Sequence, residues 1–421
     1  MSSEADSSVE SPGQLAAEEC VRELWQHPVI QAARQRAALM MLNAFGNDVP
    51  TEAMPRFDDV MDEYAISYLN RAISRNRANP HFVWNFNPPF ERNGRKVLGS
   101  RFSGDNPDAY YRFTGIDSGV DYTVRGRPAG PVGPSISFNL VRNWGGTDTG
   151  PAMDLERAEC AADGSFVLTL GPKPANGRPN HLQTDAPMAF LLVRECITDW
   201  ETEMPLHLSI EREGSKEARE QTIEEMVNDA ARWIVHEIPL YFWMIHLFRN
   251  LDPNTVRGPL PTGDYGGHGR FTAAQGFCQF EDDEAVILRW DPADADYSGV
   301  VLNDWWFRQI DAHRIQSSLN SKQASASPDG SITTVIAARD PEIANWLDTG
   351  GLHDLTVSVR WHGLPEQTPR GGPTVSFTHV KMTDLPKHLP DDIERIGSEE
   401  RKKCYAARLA AFNRRIGTQD L

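Results

Sequence analysis

Apolar residues recur at helical spacing through the first part of the chain. Leu15, Val21, Leu24 and Trp25 form one run, and Ile30, Ala33, Ala37, Met40 and Met41 form a second, with Pro28 between them. Residues three and four apart share a helix face, so this pattern predicts two amphipathic helices broken at the proline. A third is predicted over about 56–76, with Val60, Tyr64, Ser67, Tyr68 and Ala72 on one face. From Asn79 the texture changes to short β-branched or aromatic segments such as YYRFTGI, DYTVRG, SISFNLV, SFVLTLG and AFLLVREC, punctuated by Gly, Pro, Asn and Asp. That is the signature of antiparallel sheet. Helical spacing returns at 216–249 through Ile223, Met226, Val227, Ala230, Trp233 and Ile234, with a kink expected at Pro239. The glycine-rich connector TGDYGGHGRF leads into a second β block at about 271–380, and the chain ends in another helix. Ser398 is its expected N-cap, Arg414, Arg415 and Gly417 sit at its far end, and Tyr405, Leu409, Phe412 and Ile416 form its expected buried edge.

The two β blocks repeat one another. Asp163-Gly164-Ser165 lies 31 residues before Arg194, and Asp329-Gly330-Ser331 lies 31 residues before Arg360. Between these landmarks NHLQT at 180–184 answers NWLDT at 345–349, displaced by one residue. Asp-Gly marks a hairpin, because Gly accepts positive φ and Asp bonds the backbone ahead. The repeat implies an internal duplication, which separates scaffold from candidate chemistry. Features kept in both halves (Asp329, Gly330, Asn345, Leu347, Thr349 and Arg360) are expected to serve the shared fold. Chemistry is sought where the halves differ: at Arg339, Asp340, Trp346, Asp348, Trp361 and His362 in the second, and at His181, Gln183, Glu195 and Cys196 in the first.

The expected fold class is α+β: two related antiparallel β-sandwich or jelly-roll halves, with N-terminal, central and C-terminal helices packed outside. The expected division is a disordered tail at 1–14, a helical region at 15–78 and a first sandwich half at 79–215. A central helix and linker at 216–270, a second half at 271–385 and a C-terminal helix at 386–421 follow. The second block resembles a known family in FEDDEAVIL at 280–288, NDWWFRQID at 303–311, SLNSKQA at 318–324, Asp329-Gly-Ser, Asp340-Pro, the NWLDT stretch and Arg360-Trp361. These residues are similar to the bacterial domain of unknown function numbered twelve-fourteen, and residues 110–211 resemble what often precedes it. The resemblance implies a β-sandwich or jelly-roll core and brings no agreed reaction.

Lys plus Arg number 42 against 59 for Asp plus Glu, a net charge of −17, which argues against nucleic acid or an anionic membrane as partner. Five scattered cysteines without a C-x-x-C pair, and an acidic serine-rich start in place of an export signal, point to a cytoplasmic protein with reduced thiols. The acidic stretch FDDVMDEY holds Asp58, Asp59, Asp62 and Glu63 at the spacing that grips magnesium on a prenyl diphosphate. That remote alternative competes with a plain acidic helix start, since the region beyond it is largely β rather than an all-helical cup. His236, His246 and His268 lack H-E-x-x-H spacing, and no phosphate-loop or dinucleotide motif is present, so no metal or other cofactor is expected.

Aromatic density is the remaining clue. Trp306, Trp346, Tyr241 and Trp243, with Arg308, are the expected ligand-binding residues; Asp304, His313, Arg339 and Asp340 are the expected catalytic ones. Together they describe an enzyme of lyase, hydrolase or isomerase type, using acid–base chemistry on a small, partly apolar molecule, with a homo-oligomer possible. The alternative is a non-catalytic carbohydrate- or ligand-binding sandwich. Convergence of Arg339, His313 and Asp304 on one enclosed void would favour the enzyme; a flat exposed tryptophan strip would favour the binder.

Overall fold

A computed structural model describes residues 9–184, 186–214, 218–262, 270–366 and 372–417, apart from the side chains at 244, 245 and 248. Three helices open the chain: α1 (Pro12–Trp25), α2 (Pro28–Phe45) and α3 (Phe57–Ser74). The Ser11 hydroxyl caps α1 by accepting from the Gln14 amide, and prolines occupy the first positions of α1 and α2, where a missing N–H is harmless. The helical region therefore begins at Pro12 rather than at residue 15, and residues 1–8 of the expected tail lie outside the described residues.

The first β block contains β1 (Val83–Asn85), a small hairpin of β2 (Phe90–Arg92) and β3 (Arg95–Val97), β4 (Ala109–Gly115), β5 (Tyr122–Arg127) and β6 (Ser135–Val141). It continues with β7 (Thr149–Asp154), β8 (Phe166–Gly171), β9 (His181–Gln183), β10 (Phe190–Cys196) and β11 (His207–Arg212). After α4 (Ile223–His246) come β12 (Thr255–Pro261), β13 (Phe271–Gln279), β14 (Glu284–Trp290), β15 (Tyr297–Asn303) and β16 (Ser318–Asn320). The last strands are β17 (Ile332–Ala337), β18 (Trp346–Asp348), β19 (Asp354–His362) and β20 (Val375–Lys381), before the short α5 (Leu385–His388) and the long α6 (Ser398–Ile416). Helix α4 is a single element running through Pro239. The glycine-rich connector falls at 263–269, outside the described residues.

Leaving aside the β2–β3 hairpin, the two halves have the same strand order. The five-stranded sheets run β1-β4-β10-β6-β7 and β12-β13-β19-β15-β16, and the four-stranded sheets run β11-β5-β8-β9 and β18-β17-β14-β20, the last in reverse. In each half one pair is parallel, β8 with β9 and β17 with β18, and the other strand pairs within these sheets are antiparallel. The shared landmarks do matching work. Asp163 and Asp329 each accept from the amide two residues on, at 3.0 and 2.9 Å, beside glycines at φ 78° and 84°. Asn180 and Asn345 each tie their loop to backbone groups some twenty residues upstream, and Leu182 and Leu347 plug the cores.

Apolar residues facing inward from both sheets fill each half: Phe138, Leu168, Leu191 and Val193 in the first, and Trp290, Val300, Val357 and Trp361 in the second. Helices α1–α4 build a further core, which Trp305 and Trp306 join. Most of α3 is buried, so among the helices packed outside the two halves this one is itself enclosed by its neighbours. Helix α6 starts from Gly397, not from a Ser398 side-chain cap, and ends on Gly417 in the left-handed conformation. Its buried face includes Phe412 and Ile416 but also Arg401, Arg408 and Arg415, spaced two turns apart. Arg401 lies over Trp346 and binds Asp340; Arg408 donates to the Ala312 carbonyl at 2.7 Å; Arg415 donates to Tyr110 at 3.0 Å and to the Trp200 carbonyl at 2.8 Å. Long guanidinium arms let this helix strap both halves, a role the apolar spacing alone did not reveal. Among the described residues no helix is long and apolar enough to cross a membrane.

Candidate functional site

The residues nominated from the sequence do not meet at one point. Asp304 turns the loop that follows β15: its carboxylate accepts from the Trp306 and Arg308 amides, each at 3.1 Å. Arg308 then donates to Glu63 at 2.9 Å, and Glu63 also takes Arg101 on both oxygens, at 2.6 and 2.7 Å. Arg101 reaches on to Asp311 at 2.6 Å. This buried ion network joins α3, a loop of the first half and the second half. His313 stands beside it, packed on the Phe412 ring, and burial pushes its imidazole down to about 3, so it is neutral at ordinary pH. A neutral imidazole of such low basicity is a poor carrier of protons near neutral pH.

Arg339 is instead exposed and paired with Asp282, and Asp340 holds Arg401 of α6. The indole N–H groups of Trp306 and Trp346 donate to the Ala53 and Ala337 carbonyls, which makes both core residues with satisfied polar ends. Tyr241 packs edge-on against Phe102, whereas Trp243 stands out on the surface of α4. Trp305, Trp306, Trp346 and Trp361 are all buried, so no flat tryptophan strip exists among the described residues. Asp58 and Asp62 are engaged by Arg34, while the neighbouring Glu63 turns inward. His236 is exposed, His246 packs against Phe45 and Phe242, and His268 lies outside the described residues. Among the described residues no three His, Cys, Asp or Glu side chains are grouped to hold a metal ion.

Polar chemistry gathers instead at the seam between the halves. The equivalent strands β10 and β19 meet at their ends, where Cys196 Sγ lies 3.3 Å from His362 Nδ1. Nearby, Tyr297 donates to Asp108 at 2.7 Å. The arginines shared by both halves, Arg194 and Arg360, sit two residues before these ends, and both stay half-buried. Arg360 is flanked across the sheet by Ala273 and Gly299, small residues that leave its side chain room. It donates to the Gly104 carbonyl, and its Nη1 is buried without a partner among the described residues. On the same sheet face, Ser358 Oγ, Thr356 Oγ1 and Gln275 Oε1 are likewise buried and unpartnered, as is Ser137 Oγ opposite Arg194. Buried polar atoms are nearly always paired, so these donors and acceptors are open to a further partner, ordered water included.

Asp105 is the central group. Gln309 binds one carboxyl oxygen, and the other, Oδ1, has no partner among the described residues. Burial pushes this carboxyl up to about 7, against the opposing pull of Gln309, Arg101 and Arg360. Its position is fixed by a loop-to-loop contact at the residue before it. Gly104 at φ 70° donates its amide to the carbonyl of Phe307, itself at φ 63°, at 2.8 Å. A Cβ on Gly104 would fall 2.4 Å from the Phe307 ring, so glycine is required there. Tyr111, the cross-strand partner of Arg194, accepts from the Asn106 amide at 3.1 Å. Burial raises its hydroxyl to about 12, which keeps it protonated and able to donate. An ionisable carboxyl poised near neutrality, an unspent guanidinium donor and a protonated phenol thus share one seam.

These residues escape a reading of the sequence for two reasons. Asp105 sits in SGDNPDA, a string of turn formers that reads as a plain loop. Arg360 passes as scaffold because both halves keep it; the overlooked signal is a charge inside otherwise apolar strands, in LLVREC and in TVSVRW.

Residues 303–366 match a family described as a protein of unknown function (DUF1214). An uncharacterised protein from Burkholderia cenocepacia has a similar structure, with a TM-score of 0.69 and 24% identity, over 88% of this chain and 99% of that one. The VPA0106 protein from Vibrio parahaemolyticus aligns over 76% of this chain and 99% of its own, at 9% identity and a TM-score of 0.42. No curated protein matches the chain significantly.

Proposed function

For a chain that carries DUF1214, a family of unknown function, at residues 303–366, we propose an acid–base enzyme of lyase, hydrolase or isomerase type. Its substrate is a small, partly apolar molecule taken at the seam between the halves. The observation that supports this reading is the Asp105 carboxyl: buried, raised to about 7, with one oxygen unpartnered among the described residues. A general base works best when its pKa lies near the operating pH. Asp105 Oδ1 removes the proton, Arg360 Nη1 receives the negative charge that develops, and the Tyr111 hydroxyl returns a proton. The Phe307 ring lies against Gly104, the residue before Asp105, and is the nearest apolar surface the structure supplies there. The shared strand order of the halves fits an internal duplication whose matched arginines came to face one seam, so one copy serves chemistry as well as fold. The non-catalytic alternative draws less support, since Trp305, Trp306, Trp346 and Trp361 are core and form no exposed strip with the surface residue Trp243. All five cysteines are free, in keeping with a reducing compartment.

The test is conversion of a small-molecule extract, followed by mass spectrometry, with wild-type protein and with Asp105→Asn. A compound depleted by the wild type is expected to turn over at least about 100-fold more slowly with the variant. Equal conversion by both proteins, or no conversion by either, would count against the seam.

A further inference from the structure

Away from the seam, a pocket of about 540 Å³ opens where the end of α3, the turn between β4 and β5, the end of β11 and the start of α4 come together. Its wall is almost wholly polar, Ala218 being the one apolar residue among those lining it. Arg75, Arg77, Arg212 and Arg219 face Asp117, Glu225 and Asp229 there. Four guanidinium groups against three carboxylates leave a local positive excess in a molecule whose net charge is −17.

The ion pairs do not use all of the available donors. Asp117 bridges Arg77 at 2.7 Å and Arg212 at 3.3 Å. Asp229 takes Arg75 and also Arg232, and Glu225 takes Arg219. The Nε atoms of Arg77 and Arg212, and both polar side-chain atoms of Gln221, remain buried without partners among the described residues. A guanidinium whose Nε edge is unspent has the geometry that grips two oxygens of one anion. The carboxylates on the same wall accept from hydroxyl groups.

We propose that this pocket is a binding site, separate from the seam, for a small hydrophilic oxyanion: a carboxylate or phosphate carried on a hydroxyl-bearing molecule. Arg77, Arg212 and Gln221 hold the anionic end, and Glu225 and Asp229 meet the hydroxyls. The site has little apolar surface, so affinity comes from charge-assisted hydrogen bonds and weakens with added salt.

Isothermal titration of the full chain with citrate, inorganic phosphate and glucose 6-phosphate tests it. At least one probe is expected to bind saturably at one site, with affinity falling about tenfold or more in Arg77→Ala. Gln221→Ala, at a side chain without a partner among the described residues, provides a second reading without disturbing an ion pair, and is expected to weaken the same probe. Asp105→Asn is expected to leave this binding unchanged, which keeps the two sites distinguishable. Absence of binding by all three probes, or binding unaffected by both pocket substitutions, overturns the proposal.

Discussion

Glu63→Gln is expected to cost the protein about 3–5 kcal/mol of stability, the range observed when one partner of a buried ion pair is removed. The reason lies in what the carboxylate leaves behind. Glu63 projects inward from α3 and takes Arg101 on both oxygens and Arg308 on one. The side chains of Arg101 and Arg308 are only 5% and 7% exposed. Glutamine keeps the shape but presents one acceptor and one donor to two guanidinium groups. Arg101 then retains Asp311, and Arg308 retains the Asp304 carboxylate at 3.4 Å, as the remaining opposite charges. Because the network joins the helical core to both sandwich halves, the loss is felt where they meet. Urea unfolding followed by tryptophan fluorescence is the measurement, since Trp305 and Trp306 sit in the helical core that α3 organises. A fall in the transition midpoint at unchanged slope is expected. A shift equivalent to less than about 1 kcal/mol would show the network to be ornamental, as most surface pairs are.

The contrast between what the sequence displayed and what it hid follows from the range of the interactions concerned. Local rules carried the architecture. Pro28 separated two helices, the Asp-Gly turns at 163 and 329 closed equivalent loops, and the repeat anticipated two halves of one strand order. The helix break and the turns are each decided within a few residues, and the repeat is legible from the spacing of its landmarks. The seam is decided by pairs such as Cys196 with His362, 166 residues apart, and Arg360 with Gly104, 256 apart. No periodicity reports such a meeting. The same distance explains why Asp304 and Arg308 read as a polar pocket end: their partner Glu63 lies on a helix 245 residues before Arg308, where the pattern showed an acidic helix start. Burial of Arg401, Arg408 and Arg415 was invisible for a related reason. An arginine on a helix face reads as solvent-exposed until backbone carbonyls of other elements are seen to receive it.

Asp105→Asn is expected to stabilise the protein above neutral pH, by about 4 kcal/mol at pH 8, alongside the roughly 100-fold loss of conversion expected if Asp105 is the proposed base. In the folded chain the carboxyl is held up to about 7, against an ordinary 3.8. The folded state therefore keeps the proton more tightly than the unfolded state, and ionisation is what folding resists. Below 3.8 both states are protonated and the residue contributes no penalty. As pH rises from there to about 7 the unfolded chain ionises first and stability drains away. Above 7 the full penalty stands, at about 1.4 kcal/mol for every pH unit that separates the folded from the unfolded value. Asparagine removes the ionisation, can still accept from Gln309, and fills the same space. The stability difference between variant and wild type should accordingly grow by about 3 kcal/mol between pH 5 and pH 8. Paired denaturant titrations at those two values measure it. A difference that stays constant with pH would mean that Asp105 ionises as an ordinary surface carboxylate, and the seam would lose its base. A growing difference alongside lost conversion would be the mark of a group kept at the expense of stability because the chemistry requires it.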